Sequence, residues 1–423
     1  MVASLGMNDR NGQPIGPTMK GRGALLLGTA AGLALIPLLT GLGHGFYRDD
    51  FTWLEHACRP GATVLDSLRP WKNQELRSLG QLLFYLQYRL FGFHPLGFNI
   101  VSLLLHLITT GMVVCLARLA GQARGMALAA GVLFLAGLGH YGKPAAWACA
   151  QVIILGPLLA AAGLAVFLAQ LRRPADARRF PYWSYPFLAA AVFTHEITFL
   201  APLGLALVAF LLRHPHRRIM AGIGLLAPAA YFLGTLQMHE HHPVAGTSIS
   251  VLLHNIFYFP AAYLFPLQGM DAWMRILGRA SSAPMWPRAW AALPILLGAG
   301  VLLVLALYTR KAPPLMRGLV GFGFLLLAPA FAMPMSPHWI EARYLYPTTI
   351  FWSPAICAGL HSAGSALRPK VRSLFVVLLL LWYLGILTGS FYIQRRARED
   401  AADPTMNVRW QRLEEILQHP IPH

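Results

Sequence analysis

The chain has 423 residues, 56% of them hydrophobic and 12% charged, with 34 Lys and Arg against 16 Asp and Glu for a net charge of +18. A soluble globular chain carries roughly 25% charged residues, so the composition excludes a soluble enzyme and points to a polytopic membrane protein. The excess of positive charge does not mark a nucleic-acid binder, because the basic residues lie in short gaps between apolar runs: Arg172, Arg173, Arg178 and Arg179; Arg213, Arg217 and Arg218; Arg310, Lys311 and Arg317; Arg368, Lys370 and Arg372. That is the distribution that fixes membrane orientation.

In chain order, residues 1–21 read as a polar cytosolic tail. No small-x-small cleavage site follows the first apolar run, which is therefore read as a retained span. Spans are expected near 22–43, 95–117, 125–139, 151–171, 180–194, 197–212, 219–237, 291–308, 315–334, 346–363 and 371–393, each near the length a bilayer requires or somewhat short of it. The apolar stretch 251–268 is ambiguous. If it does not cross, the side holding the basic gaps carries 18 Lys and Arg with two acids, Asp9 and Asp176, and the other side carries 16 Lys and Arg with 14 acids. If it crosses, the clusters at 310–317 and 368–372 move outside. The expected fold is thus all-α, with about eleven transmembrane helices (ten to twelve), amino terminus inside and carboxyl terminus outside, and 251–268 lying at the surface or re-entering.

The transmembrane domain is expected over 22–393, with a long first outer loop over 44–94. Within that loop, Leu82, Leu83, Leu86 and Leu90 share one helical face, as in a helix lying in the membrane interface. The segment 394–423 reads as a charged outer tail, with a short amphipathic helix from Val408 to Leu417. Cys115 and Cys357 fall in spans; Cys58 and Cys149 fall outside, where oxidation is open to them. No nucleotide-binding Gly-rich loop, Walker motif or internal repeat occurs. His239-Glu240-His241-His242 lacks the spacing of a zinc site and reads as a surface turn.

Two acidic positions stand out. Asp49-Asp50 follow the first span, adjacent to each other in a chain with few acids. Two such carboxylates resist joint ionisation unless a cation is near, and Arg48 or a metal ion could supply one. The pair also suits the N-cap of an interfacial helix. Glu196 sits between two short apolar runs, where an acid is costly unless it faces a polar cavity or the water boundary.

The order of these residues resembles a known family. Asp49-Asp50 is followed by Arg77-Ser78-Leu79-Gly80, by Leu90-Phe91-Gly92-Phe93-His94-Pro95-Leu96-Gly97-Phe98-Asn99, by Thr194-His195-Glu196 and by Glu341-Ala342-Arg343-Tyr344-Leu345-Tyr346. Over residues 22 to 360 this is similar to the GT-C glycosyltransferases, in particular bacterial relatives of protein O-mannosyltransferases and of TPR-bearing transmembrane mannosyltransferases. The chain departs from them at Ala145 and Ala146, where relatives often carry a Glu, and at His195, where they often carry a Lys; no TPR domain follows.

The resemblance implies an inverting glycosyltransferase at the outer face of a bacterial inner membrane. The donor would be a polyprenyl-phosphate sugar and the acceptor a glycan, glycolipid or protein hydroxyl; membrane lipids are the other partners and nucleic acid is not one. Such chemistry needs a carboxylate base and a cation for the departing phosphate. The roles implied are Asp50 as base, with Asp49 its neighbour or a metal ligand and the two able to exchange. Arg343, Tyr344, Tyr346, Arg77 and Lys143 would bind donor phosphate and lipid, and Glu196, His195, Glu341 and His338 would bind substrate or metal. A divalent cation (Mg, Mn or Ca) would sit at Asp49 and Glu196. Two other readings are an O-antigen-ligase-type transferase without a metal and a lipid-linked sugar flippase. The near absence of charge within the spans argues against the flippase.

Overall fold

The computed structural model describes residues 21–47, 49–69, 77–137, 143–236, 249–264, 288–331 and 342–418. Every regular element among them is helical. The helices are α1 (Gly21–Thr40), α2 (Asp49–Ala57), α3 (Val64–Leu68), α4 (Ser78–Phe91), α5 (Pro95–Leu119), α6 (Arg124–Leu135), α7 (Gln151–Leu171), α8 (Ser184–Val192), α9 (Ala201–Leu211), α10 (Arg217–Leu236), α11 (Ile249–Leu264), α12 (Arg288–Lys311), α13 (Pro314–Phe331), α14 (Tyr346–Ala366), α15 (Pro369–Ala401) and α16 (Thr405–Gln418). Among the described residues, five stretches are long and apolar enough to cross a membrane: Gly23–Gly43, Pro95–Leu119, Ala148–Leu171, Pro314–Phe331 and Pro369–Ala401. The protein is a multi-pass membrane protein. Exposed leucines and valines along α15, such as Leu374, Leu378 and Leu381, form the surface a lipid would cover.

Contacts between helices fix their directions. Tyr383 Oη donates to Ala30 O (2.7 Å) and Arg398 donates to Thr40 O (3.2 Å). Numbers therefore rise together along α1 and α15, which run parallel. Parallel spans end on the same side, so the end of α15 and the loop after α1 share one side. The last helix, α16, accordingly packs on α2. Helix α15 continues unbroken to Ala401, past the expected domain end at 393.

The ambiguous stretch 251–268 is α11. Asn255 donates to Phe331 O at the end of α13, and Trp382 donates to Leu264 O. Trp382 adjoins Tyr383, which is bonded halfway along α1. Helix α11 thus starts at the outer end of the bundle and finishes near its middle. Helix α12 lies against it, with Gly298 on the Phe257 backbone, and reaches the level of Gly359 at Tyr308. The two helices run in the same direction.

In the outer loop, α4 lies across the ends of other helices. Its buried face is Gly80, Gln81, Phe84, Tyr85 and Gln87, while Leu86 and Leu90 are exposed. This is the amphipathicity of a membrane-surface helix: leucines outward to lipid, amides inward. Inward, Gln87 and Gln151 exchange amide hydrogen bonds, and Gln151 also donates to Phe98 O and Ser102 Oγ. Gly80 sits against Val152 and Thr194 O, where any side chain would collide. Leu79 N donates to Phe193 O (3.0 Å), which ties the start of α4 to the turn between α8 and α9.

Candidate active site at the outer end of the bundle

Helix α2 begins at the acidic pair. Asp49 is exposed and Asp50 is 1% exposed. The Asp50 carboxylate accepts from Tyr47 N (3.1 Å, Oδ2) and from Cys149 N (2.7 Å, Oδ1). The first bond caps α2 and the second bolts the turn Ala148–Ala150 to it from 99 residues away. Burial pushes the Asp50 carboxyl up to about 7, against the lowering effect of the Tyr47 and Cys149 amides. Asp49 makes no hydrogen bond or ion pair with the described residues, and its carboxylate faces solvent.

Trp147 precedes that turn. Its ring stacks on Tyr47 (centroids 5.4 Å apart, planes at 22°), and the Arg343 guanidinium lies 4.7 Å from the centroid of the same indole ring. Arg343 is also 5.1 Å from the Tyr344 ring centroid. A planar cation on an indole face is held in place while its edge stays able to donate. The Arg343 charge acts on both Cys149 and His195, so the arginine stands between the α2 corner and the turn between α8 and α9.

In that turn Glu196 is 9% exposed and is engaged by Arg77 through two bonds, Nε to Oε2 (2.8 Å) and a terminal nitrogen to Oε1 (2.6 Å). Burial alone would raise the Glu196 carboxyl; the Arg77 guanidinium outweighs it and holds it low. His195 Nδ1 accepts from Ile197 N (3.2 Å), which leaves the ring proton on Nε2. Burial lowers the His195 pKa to about 3, so the imidazole is neutral.

Asp49, Asp50, Glu196, His195, Arg77 and Arg343, expected from separate segments, thus meet at one end of the bundle. Tyr344 meets them through Arg343. Tyr346 does not line a groove: it is fully buried, its hydroxyl 3.0 Å from His106 Nδ1. Lys143 opens a short turn over Lys143–Ala146 that touches Ala342–Leu345. Glu341, His338, Arg48, His140 and His239–His242 lie outside the described residues. Trp147 and Tyr47 were not expected; the only sign of Trp147 was a large aromatic among alanines in an outer turn.

Among the described residues no group of three or more His, Cys, Asp and Glu is placed to hold a metal ion. Glu196, expected to share a metal ion with Asp49, has Arg77 on both of its oxygens. Cys58 and Cys149 are both buried and free, so the structure joins them to no partner.

No protein-family model and no curated protein matches the chain. Solved structures are similar in fold. The apo oligosaccharyltransferase of Archaeoglobus fulgidus aligns at TM-score 0.49 and 12% identity, over 96% of this chain and 59% of that one. ArnT of Cupriavidus metallidurans aligns in its apo state at 0.46 and 14%, over 95% and 78%, and bound to undecaprenyl phosphate at 0.42 and 15%, over 95% and 78%. These neighbours are GT-C glycosyltransferases. The chain spans about three-fifths of the oligosaccharyltransferase's length. With all three scores under 0.5, the residue roles rest on the geometry of this chain.

Proposed function

We propose that this protein transfers a sugar from a polyprenyl-phosphate donor to an acceptor hydroxyl at the outer face of the membrane, with inversion. The observation that carries the reading is the convergence of an exposed carboxylate, Asp49, and a stacked guanidinium, Arg343, at the membrane end of a largely uncharged bundle. In the reaction the acceptor oxygen attacks the anomeric carbon as its proton passes to a carboxylate. The bond from that carbon to the phosphate oxygen breaks, and its electron pair leaves with the lipid phosphate.

Asp49 is the base in this reading, because its carboxylate is accessible while both Asp50 oxygens accept backbone N–H groups. Asp50 is then a positioning residue, which exchanges the two roles expected from sequence. Arg343 receives the phosphate: its fork geometry suits phosphate oxygens, and its stacking on Trp147 reduces the entropy lost on binding. Arg77 keeps Glu196 ionised and oriented, so that Glu196 and the Nε2–H of His195 can bind sugar hydroxyls. Removing a general base costs roughly 100- to 10,000-fold.

The test is consumption of a polyprenyl-phosphate sugar by purified protein, with mass spectrometry of co-purifying lipids to name the donor. Asp49→Asn is expected to lose at least about 100-fold in turnover with donor binding retained. Near-normal turnover in that variant sinks the base assignment, and failure of the wild type to consume any such donor sinks the reaction.

A further inference from the structure

The outer loop contains a cavity that the transfer chemistry leaves unused. It measures about 300 Å³ and lies between α2, α3, α4 and the turn joining the first two. One wall is aromatic, made by Trp53, Phe84 and Tyr85, with the Trp53 and Phe84 ring centroids 5.6 Å apart. Tyr85 is fixed by donation from its hydroxyl to Ala62 O (3.0 Å). The remaining walls include His56, Arg59 and Gln81.

Gln81 is 2% exposed. With its amide nitrogen donating to Ser67 O (3.0 Å) and Arg69 O (3.1 Å), both donors are used within the protein. In that orientation the amide is satisfied on both sides and stands as a fixed polar group in the wall. Burial lowers the His56 pKa to about 4, so this ring is neutral. A rigid ring wall faced by neutral polar groups, one guanidinium and the Asp66 carboxylate suits a ligand with a C–H face and several hydroxyls. The volume is at the lower end of the roughly 300–1,000 Å³ of small-molecule sites, room for one ring and its substituents. Phosphate-rich ligands would need more than one cation.

The position ties the cavity to the acidic pair. Asp49 and Trp53 are four residues apart on α2. They share a helix face and differ by about 6 Å of rise.

We infer that this cavity is a saccharide subsite that holds one pyranose ring of the acceptor, which makes the acceptor a glycan. Its role as acceptor subsite rests on the transfer reaction proposed above; its capacity to bind a saccharide does not.

The experiment is saturation-transfer NMR on the full-length protein in detergent, using a panel of methyl pyranosides: glucoside, mannoside, galactoside and N-acetylglucosaminide. At least one is expected to show transfer to its ring protons. Gln81→Leu and the exposed-site variant Arg59→Ala should each weaken binding about three- to tenfold, the value of one hydrogen bond. Arg343→Ala should leave it unchanged. Arg59→Ala guards against misfolding of the Gln81 variant. Absence of transfer from every pyranoside overturns the inference, as does equal transfer in wild type and both cavity variants. Donor consumption measured on the same samples separates the two ideas. Consumption without pyranoside binding removes the cavity and keeps the reaction. Binding without consumption keeps the cavity and removes the reaction.

Discussion

At the residue scale, Asp50 and Glu196 show two ways to bury an acid. Asp50 has two backbone amides and no cation among its partners in the described residues, so burial dominates and its carboxyl is lifted from 3.8 to about 7. Because this folded-state value lies above the unfolded one, its contribution to stability is full below about pH 4 and is lost as pH rises through about 7. Function should run the other way. Only the carboxylate accepts from both Tyr47 N and Cys149 N, so turnover should rise with pH through a midpoint near 7. A pH–rate profile checks this, and in Asp50→Asn that limb should vanish. Glu196 instead has Arg77 on both oxygens. Arg77→Gln would strand a buried charge and cost about 2–3 kcal/mol in thermal unfolding, and adding Glu196→Gln should restore most of the loss.

At the element scale, α16 braces the helix that carries the acidic pair. Trp410 packs edge-on against Phe51 (5.2 Å) and Phe93 (6.0 Å) and at a tilt against Phe46 (6.0 Å), and Leu413 is 1% exposed. Arg412 adds an ion pair to Glu55 (3.5 Å), but this exposed pair is worth little beside the aromatic contacts. Trp410→Ala should therefore lower turnover several-fold while the span bundle stays folded, as read by far-ultraviolet circular dichroism; unchanged turnover would show that α2 needs no brace. Helix α11 depends on close approach to α12. An alanine at Gly298 would meet the Phe257 backbone, and Gly298→Ala should cost about 1–3 kcal/mol of stability.

At the scale of the whole molecule, parallel α1 and α15 put the 44–94 loop and α16 on one side. Single cysteines added to a variant without native cysteines test this. Arg409→Cys should react with an impermeant maleimide from outside, and Arg178→Cys only after the membrane is opened.

Sequence alone determined the membrane class and α16, because apolar length and helical periodicity are local properties. It singled out Asp49-Asp50 and Glu196 because acids are rare in such a chain, and Arg343 through the family resemblance. Tertiary structure decided what these residues do. It buried Asp50 and exposed its neighbour, closed Arg77 on Glu196 across 119 positions, and moved Tyr346 from a supposed groove into the core. It also brought Trp147 under Arg343. Each of these depends on which groups burial deprives of water, and that is set by contacts between segments far apart in the chain.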